Sequence, residues 1–131
     1  MMPDSILVLA AHGSRRAASN EEVRHLAQVL TQRAPAQCRR VLAGFLELAA
    51  PSITEAIDAA VADNPSEVVV VPYFLSAGRH VALDLPALVE ECRRAHPQAR
   101  IRVTDHLGAA ETALADMLLG LAGYRVPAAR D

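Results

Sequence analysis

The sequence contains no lysine and no tryptophan, and outside histidine its aromatic residues are Phe45, Tyr73, Phe74 and Tyr124. All 13 basic residues are therefore arginine, which excludes Schiff-base chemistry at a lysine and a P-loop lysine. With only 3% aromatic residues, a site built on an aromatic cage is excluded too. The two cysteines, Cys38 and Cys92, form no CxxC spacing. They read as free thiols at a helix end and within a helix, and they place the chain in a reducing compartment, the cytoplasm. No apolar run approaches the ~18 residues of a membrane span, and no basic stretch precedes the first apolar run, so no membrane partner is expected. A net charge of −2 and a pI near 6.2 give no global reason to expect nucleic acid either. Any recognition of anions must be local.

What is abundant is small and aliphatic. Hydrophobic residues make up 52% of 131 positions, enough for one α/β domain spanning residues 1–131, with a core over about 5–123 and a flexible tail at 124–131. The run Ile6-Leu7-Val8-Leu9-Ala10-Ala11 ends abruptly in His12-Gly13-Ser14-Arg15, as a buried strand does when it delivers a polar side chain to a cleft. A His-Gly turn that merely ends a strand would use the same residues. Ser19-Asn20-Glu21-Glu22 fits a capping box, and Val23, Leu26, Ala27 and Leu30 give the following helix an apolar stripe that stops before Pro35.

The pattern then repeats. Val41-Leu42-Ala43-Gly44-Phe45-Leu46 stops at Glu47; Ser52-Ile53-Thr54-Glu55 is a second capping signal, with a stripe of Ile53, Ala56, Ile57, Ala60 and Val61. Val68-Val69-Val70-Val71-Pro72 is the most strand-like stretch and should be central. Its following loop carries Ser76, Gly78, Arg79 and His80; Asp84 reads as a helix cap, with Pro86 in the first turn and Leu85, Leu88, Val89 and Cys92 as the stripe. Ile101-Arg102-Val103-Thr104 alternates like an edge strand, and Leu114, Met117, Leu118 and Leu121 form a fourth stripe. His25 reads as a solvated helix residue and His96 as a helix-end residue, while His106, at the end of the edge strand, ranks below His12 and His80 as a candidate ligand.

Four strand-then-helix units imply a three-layer α/β/α domain around a four-stranded parallel sheet with right-handed crossovers. The expected strand order is 2-1-3-4, which sets strands one and three side by side at the switch point and brings His12 to His80. Two imidazoles and a carboxylate at one sheet edge suit a divalent first-row metal, or equally the acceptance of protons from a substrate N–H.

Ala11-His12-Gly13-Ser14-Arg15, Gly44-Phe45-Leu46-Glu47-Leu48-Ala49-Ala50-Pro51-Ser52-Ile53 and Val71-Pro72-Tyr73-Phe74-Leu75-Ser76-Ala77-Gly78-Arg79-His80-Val81, in this order, resemble the small class II tetrapyrrole chelatases, the short sirohydrochlorin chelatases of the CbiX and SirB type. The resemblance runs from Ile6 to about Gly123. It implies that His12 and His80 hold the incoming metal and help remove pyrrole protons, with Glu47 as ligand or proton acceptor. It further implies insertion of Co²⁺, or next Fe²⁺, into sirohydrochlorin for cobalamin or sirohaem synthesis, by a homodimer. Arg15, Arg79 and Arg16 become candidates for gripping the carboxylates of the macrocycle. Ser14, Ser76, Gly13 and Gly78 would shape the loops, the glycines through close approach or positive φ. With no His-rich tract and no iron–sulfur cysteine set, the metal (Co²⁺, Fe²⁺ or Ni²⁺) is expected as substrate, with no permanent cofactor. The turn after Leu107-Gly108 continues Ala109-Ala110-Glu111, with neither His nor Pro to deliver metal. Two other readings compete. A non-catalytic carrier of metal or tetrapyrrole would need the same cleft, and a phosphohistidine phosphatase would want arginine where Ala11 stands.

Overall fold

In the computed structural model, which describes residues 4–126, the β-branched and aliphatic runs form four parallel strands. They are β1 (Ser5–Ala11), β2 (Cys38–Phe45), β3 (Glu67–Pro72) and β4 (Ile101–Val103), in the order β2-β1-β3-β4. That is the expected order, and β1 and β3 occupy the centre. Their register pairs Ala10 with Pro72, while β1 and β2 run together to Ala11 opposite Phe45. β3 ends at Pro72, and after one more bond to β1, from the Tyr73 N–H to Ala10 O at 2.7 Å, the chain leaves the sheet in a loop.

The helices are α1 (Ala17–Arg33), α2 (Ile53–Ala62), α3 (Leu85–Ala95) and α4 (Glu111–Leu121). Side chains alternate across each strand, so the two sheet faces draw on different residues. Ile6, Val8, Ala10, Val68 and Val70 pack with Ile53, Ile57 and Ala60 of α2 and Leu85 and Val89 of α3. On the other face Leu9, Ala11, Val41, Ala43 and Phe45 pack with Ala27 of α1, flanked by Val23, Leu26 and Leu30. The stripes of α1, α2 and α3 therefore lie where their periodicity puts them.

Five expectations are corrected. The Ser19–Glu22 capping box does not form: α1 begins three residues earlier than that cap implies, after Arg16, with no side-chain cap. The signal fails because Ser19 already lies inside the first turn of α1. Cys38 opens β2 instead of ending a helix, and the edge strand closes at Val103, one residue short of Thr104. Asp84 caps nothing; it has α-helical φ and ψ at the end of a π-helical turn, His80–Asp84, that runs into α3. The stripe of α4 is not buried: Met117, Leu118 and Leu121 are 53%, 64% and 86% exposed, and no residue of the helix is buried. Periodicity marks a helical face as apolar but does not name what covers it.

The second capping signal does form. Ser52 Oγ accepts from the Glu55 N–H at 3.0 Å, and Glu55 Oε1 accepts from the Ser52 N–H at 2.8 Å. Cys92 lies buried against this region, and burial pushes its thiol pKa up, as fits a packing cysteine. Of the expected tail, residues 127–131 lie outside the described residues; Tyr124 is exposed.

Candidate active site at the carboxyl edge of the sheet

The carboxyl ends of β1 and β2 stay paired beyond the strands. The Leu46 N–H donates to Ala11 O at 2.9 Å and the Glu47 N–H donates to His12 O at 3.1 Å. This extra rung sets His12 and Glu47 side by side, and His12 Nε2 stands 3.1 Å from Glu47 Oε1. The approach is possible only because residue 13 is glycine. Gly13 has φ +96°, and a Cβ there would lie 1.8 Å from Glu47 O, a distance no packing tolerates.

The turn after Gly13 is fastened from α1. Asn20, the one buried polar side chain among the described residues, accepts the Ser14 N–H at 2.9 Å and donates to Ser14 O at 2.8 Å. Ser14 Oγ accepts from the Arg16 N–H at 3.0 Å. The Ser14 hydroxyl thus already serves the turn. The Glu47 loop is held in a similar way by Arg24, whose guanidinium donates to Ala50 O at 2.7 Å and stacks over the Phe45 ring at 5.2 Å.

From the neighbouring central strand, the Tyr73–Arg79 segment leads to His80, the first residue of the π-helical turn. Its ring meets that of His12 edge to face, with centroids 4.6 Å apart and planes at 68°. Strand order alone explains this meeting of residues far apart in sequence. His80 Nδ1 lies 2.8 Å from Asp84 Oδ2. An ionised carboxylate can only accept, so in this contact the imidazole donates from Nδ1. Asp84 is the residue that sequence reasoning assigned to a different task. The signal was present, because His80 and Asp84 are four residues apart and face each other on any helical turn.

The four side chains His12, Glu47, His80 and Asp84 are 44% to 55% exposed. The cluster is open to solvent at the sheet edge. No group of three His, Cys, Asp or Glu side chains among the described residues is arranged to hold an ion in advance. Arg15, Arg16, Ser76, Gly78 and Arg79 are all exposed at this end of the sheet. Gly78 differs from the expectation for it: its φ is not positive and nothing crowds its missing Cβ. Close approach is found instead at Gly108, where a Cβ would lie 1.7 Å from Leu75 O and whose N–H donates to Phe74 O at 3.0 Å. His106 starts the turn that carries Gly108, His25 is exposed on α1, and His96 pairs through Nε2 with Asp58 at 2.7 Å.

A parallel α/β domain that gathers two imidazoles and a carboxylate where its two central strands emerge belongs to the class of proteins that bind ligands at the switch point of the sheet. Its family is more specific. The chain belongs to the CbiX family, whose model matches residues 6–119. It is 34% identical over 83 residues to a sirohydrochlorin cobaltochelatase of Methanopyrus kandleri, an alignment covering 63% of this chain and 57% of that one. It is 30% identical over 102 residues to the chloroplastic sirohydrochlorin ferrochelatase of Arabidopsis thaliana, covering 78% and 44%. The matched region thus spans about half the length of these curated relatives. The crystal structure of the sirohydrochlorin chelatase SirB from Bacillus subtilis subspecies spizizenii, in complex with cobalt, superimposes with a TM-score of 0.78 at 22% identity. It covers 92% of this chain and 50% of that chain, a likeness of fold. Among the described residues, no helix is long and apolar enough to cross a membrane.

Proposed function

We propose that this chain inserts a divalent metal, Co²⁺ first and Fe²⁺ next, into sirohydrochlorin. The observation that carries the reading is the meeting of His12 and His80 at 4.6 Å, with Glu47 at 3.1 Å from His12, in a chain of the CbiX family. Insertion exchanges two pyrrole protons for one metal ion, so a site needs donors for the ion and acceptors for the protons at the same place. Neutral imidazole serves both needs. Bare imidazole nitrogen suits Fe, Co, Ni and Zn, and a carboxylate beside it takes a proton or steadies the imidazolium. In this reading the metal is substrate: His12 and His80 hold the incoming ion and the macrocycle nitrogens take it over. Arg15, Arg16 and Arg79 suit the carboxylates on the rim of the macrocycle. Two free thiols and a reduced metal substrate support a cytoplasmic setting.

The test is an anaerobic absorbance time course of sirohydrochlorin with Co²⁺, Fe²⁺ or Ni²⁺, with and without the protein. Acceleration by the protein, lost by 10²-fold or more in His12→Ala, is the expected result. Bound macrocycle without faster insertion would identify a carrier and overturn the catalytic reading.

The active unit is a homodimer in this reading. A sheet of four strands is small for a macrocycle, the chain matches half the length of the SirB fold, and α4 leaves Met117, Leu118 and Leu121 uncovered. An isologous pair of copies joined through α4 would bury that face. Sedimentation at micromolar concentration is expected to give a dimer for the native chain and a monomer for Leu118→Glu; a monomeric native chain would refute the pairing.

A further inference from the structure

Asp84 has a free choice of roles, and the structure shows which it takes. A carboxylate at the first turn of α3 ordinarily accepts backbone N–H groups as a cap. Here Asp84 makes no capping hydrogen bond, and its φ of −71° and ψ of −46° are those of a helix interior. The helix has been extended backwards by the π-helical turn, in which the Leu85 N–H donates to His80 O. Short π segments are uncommon and cluster at functional sites. This one places Asp84 against the His80 ring at 2.8 Å.

Packing does not explain the orientation of that ring. The His80 and Asp84 side chains are 46% and 49% exposed, so few neighbours restrict the histidine torsions. A half-exposed imidazole samples several rotamers and both neutral tautomers unless a hydrogen bond selects one. His12, the other imidazole, is placed by a different device: the paired backbone and the Gly13 contact with Glu47 fix the root of its side chain.

We propose that Asp84 is a positioning residue for His80: its carboxylate locks the imidazole, whose ring meets that of His12 edge to face, as the Nδ1–H tautomer with Nε2 left bare. This deepens the chelatase reading and rests on it for its catalytic consequence. The tautomer itself is a property of the protein alone. Outer partners that orient a histidine in this way commonly contribute 10–100-fold to affinity or activity through the ring they hold.

The experiment is a long-range ¹H–¹⁵N correlation spectrum of the histidine rings at about pH 9, where imidazoles are neutral, on the full native chain and on Asp84→Ala and Asp84→Asn. The native chain and Asp84→Asn, whose amide oxygen still accepts, are expected to show His80 protonated at Nδ1. Asp84→Ala is expected to move His80 toward the Nε2–H form while the His12 signals stay in place. A native spectrum with His80 protonated at Nε2, or an Asp84→Ala spectrum unchanged at His80, overturns the proposal. In the insertion assay Asp84→Ala should lose about tenfold or more in kcat with little change in KM, and Asp84→Asn should recover most of it. If kcat fell equally in Asp84→Ala and Asp84→Asn, the positioning role would be wrong. Absence of insertion by the native chain would end the chelatase reading, and the tautomer result would still decide the role of Asp84.

Discussion

Gly13 and Asn20 carry the geometry of the candidate site although neither contributes chemistry to it. Gly13 lets two strand ends touch, and Asn20 closes the turn that follows with two hydrogen bonds to Ser14. The two residues differ in how visible they are. A glycine after a strand-end histidine announces a tight approach, whereas Asn20 sits in a segment whose local pattern spells a helix cap and shows its use only when α1 folds against β1. Gly13→Ala places a methyl group inside the Glu47 carbonyl contact, so the His12–Glu47 pair must separate. The expected outcome is a folded protein with metal insertion reduced by at least 10²-fold, read in the absorbance assay beside a circular dichroism spectrum. Native activity in Gly13→Ala would mean that the rung between His12 and Glu47 is dispensable.

At the scale of elements, the two S-x-x-E signals separate motif from structure. Ser52-Ile53-Thr54-Glu55 forms both reciprocal bonds; Ser19-Asn20-Glu21-Glu22 forms neither as a cap, because α1 has already begun at Ala17. Urea denaturation should therefore distinguish them. Ser52→Ala is expected to lose about 1 kcal/mol, the usual worth of a formed cap, and Ser19→Ala to change stability by less than about 0.5 kcal/mol. An equal loss in both variants would show that Ser19 also caps. The stripes of α1, α2 and α3 were legible because each meets a strand face of the same chain. That of α4 was legible only as a pattern, since none of its residues is buried against a described element.

Across the whole molecule, the two ends of the sheet are held by different forces. The carboxyl edge is open and carries imidazoles and carboxylates. The amino edge is closed by charge: Arg39 Nε donates to Asp4 Oδ2 at 2.8 Å, Arg39 also reaches Asp63 O at 2.7 Å, and Asp4 O accepts the Ser66 N–H at 2.8 Å. These bonds tie the starts of β1, β2 and β3. The Arg39 hydrogen bond, followed by the Ser66 backbone N–H, holds the Asp4 carboxyl below its ordinary value of 3.8. A carboxyl whose folded pKa is lowered adds stability above its unfolded value and loses it as pH falls through the folded one. Chemical denaturation from pH 7 downward should show stability declining below about pH 4, with a shallower decline in Asp4→Asn. Parallel curves for the two proteins would exclude Asp4 from the acid response.

Alternating runs of apolar residues and helix stripes determined the four βα units, the parallel sheet and its order, because side-chain period and crossover handedness leave few arrangements. They also marked His12, Glu47 and His80 as strand-end residues, since a polar side chain that follows a buried run must emerge at the sheet edge. Only the tertiary structure decided which of these side chains meet, which backbone contacts make the meeting possible, and that Asp84 turns to His80 instead of capping α3. Those choices depend on distances between residues far apart in the chain, or on one helical turn widened against its neighbours, and local sequence pattern carries no record of either.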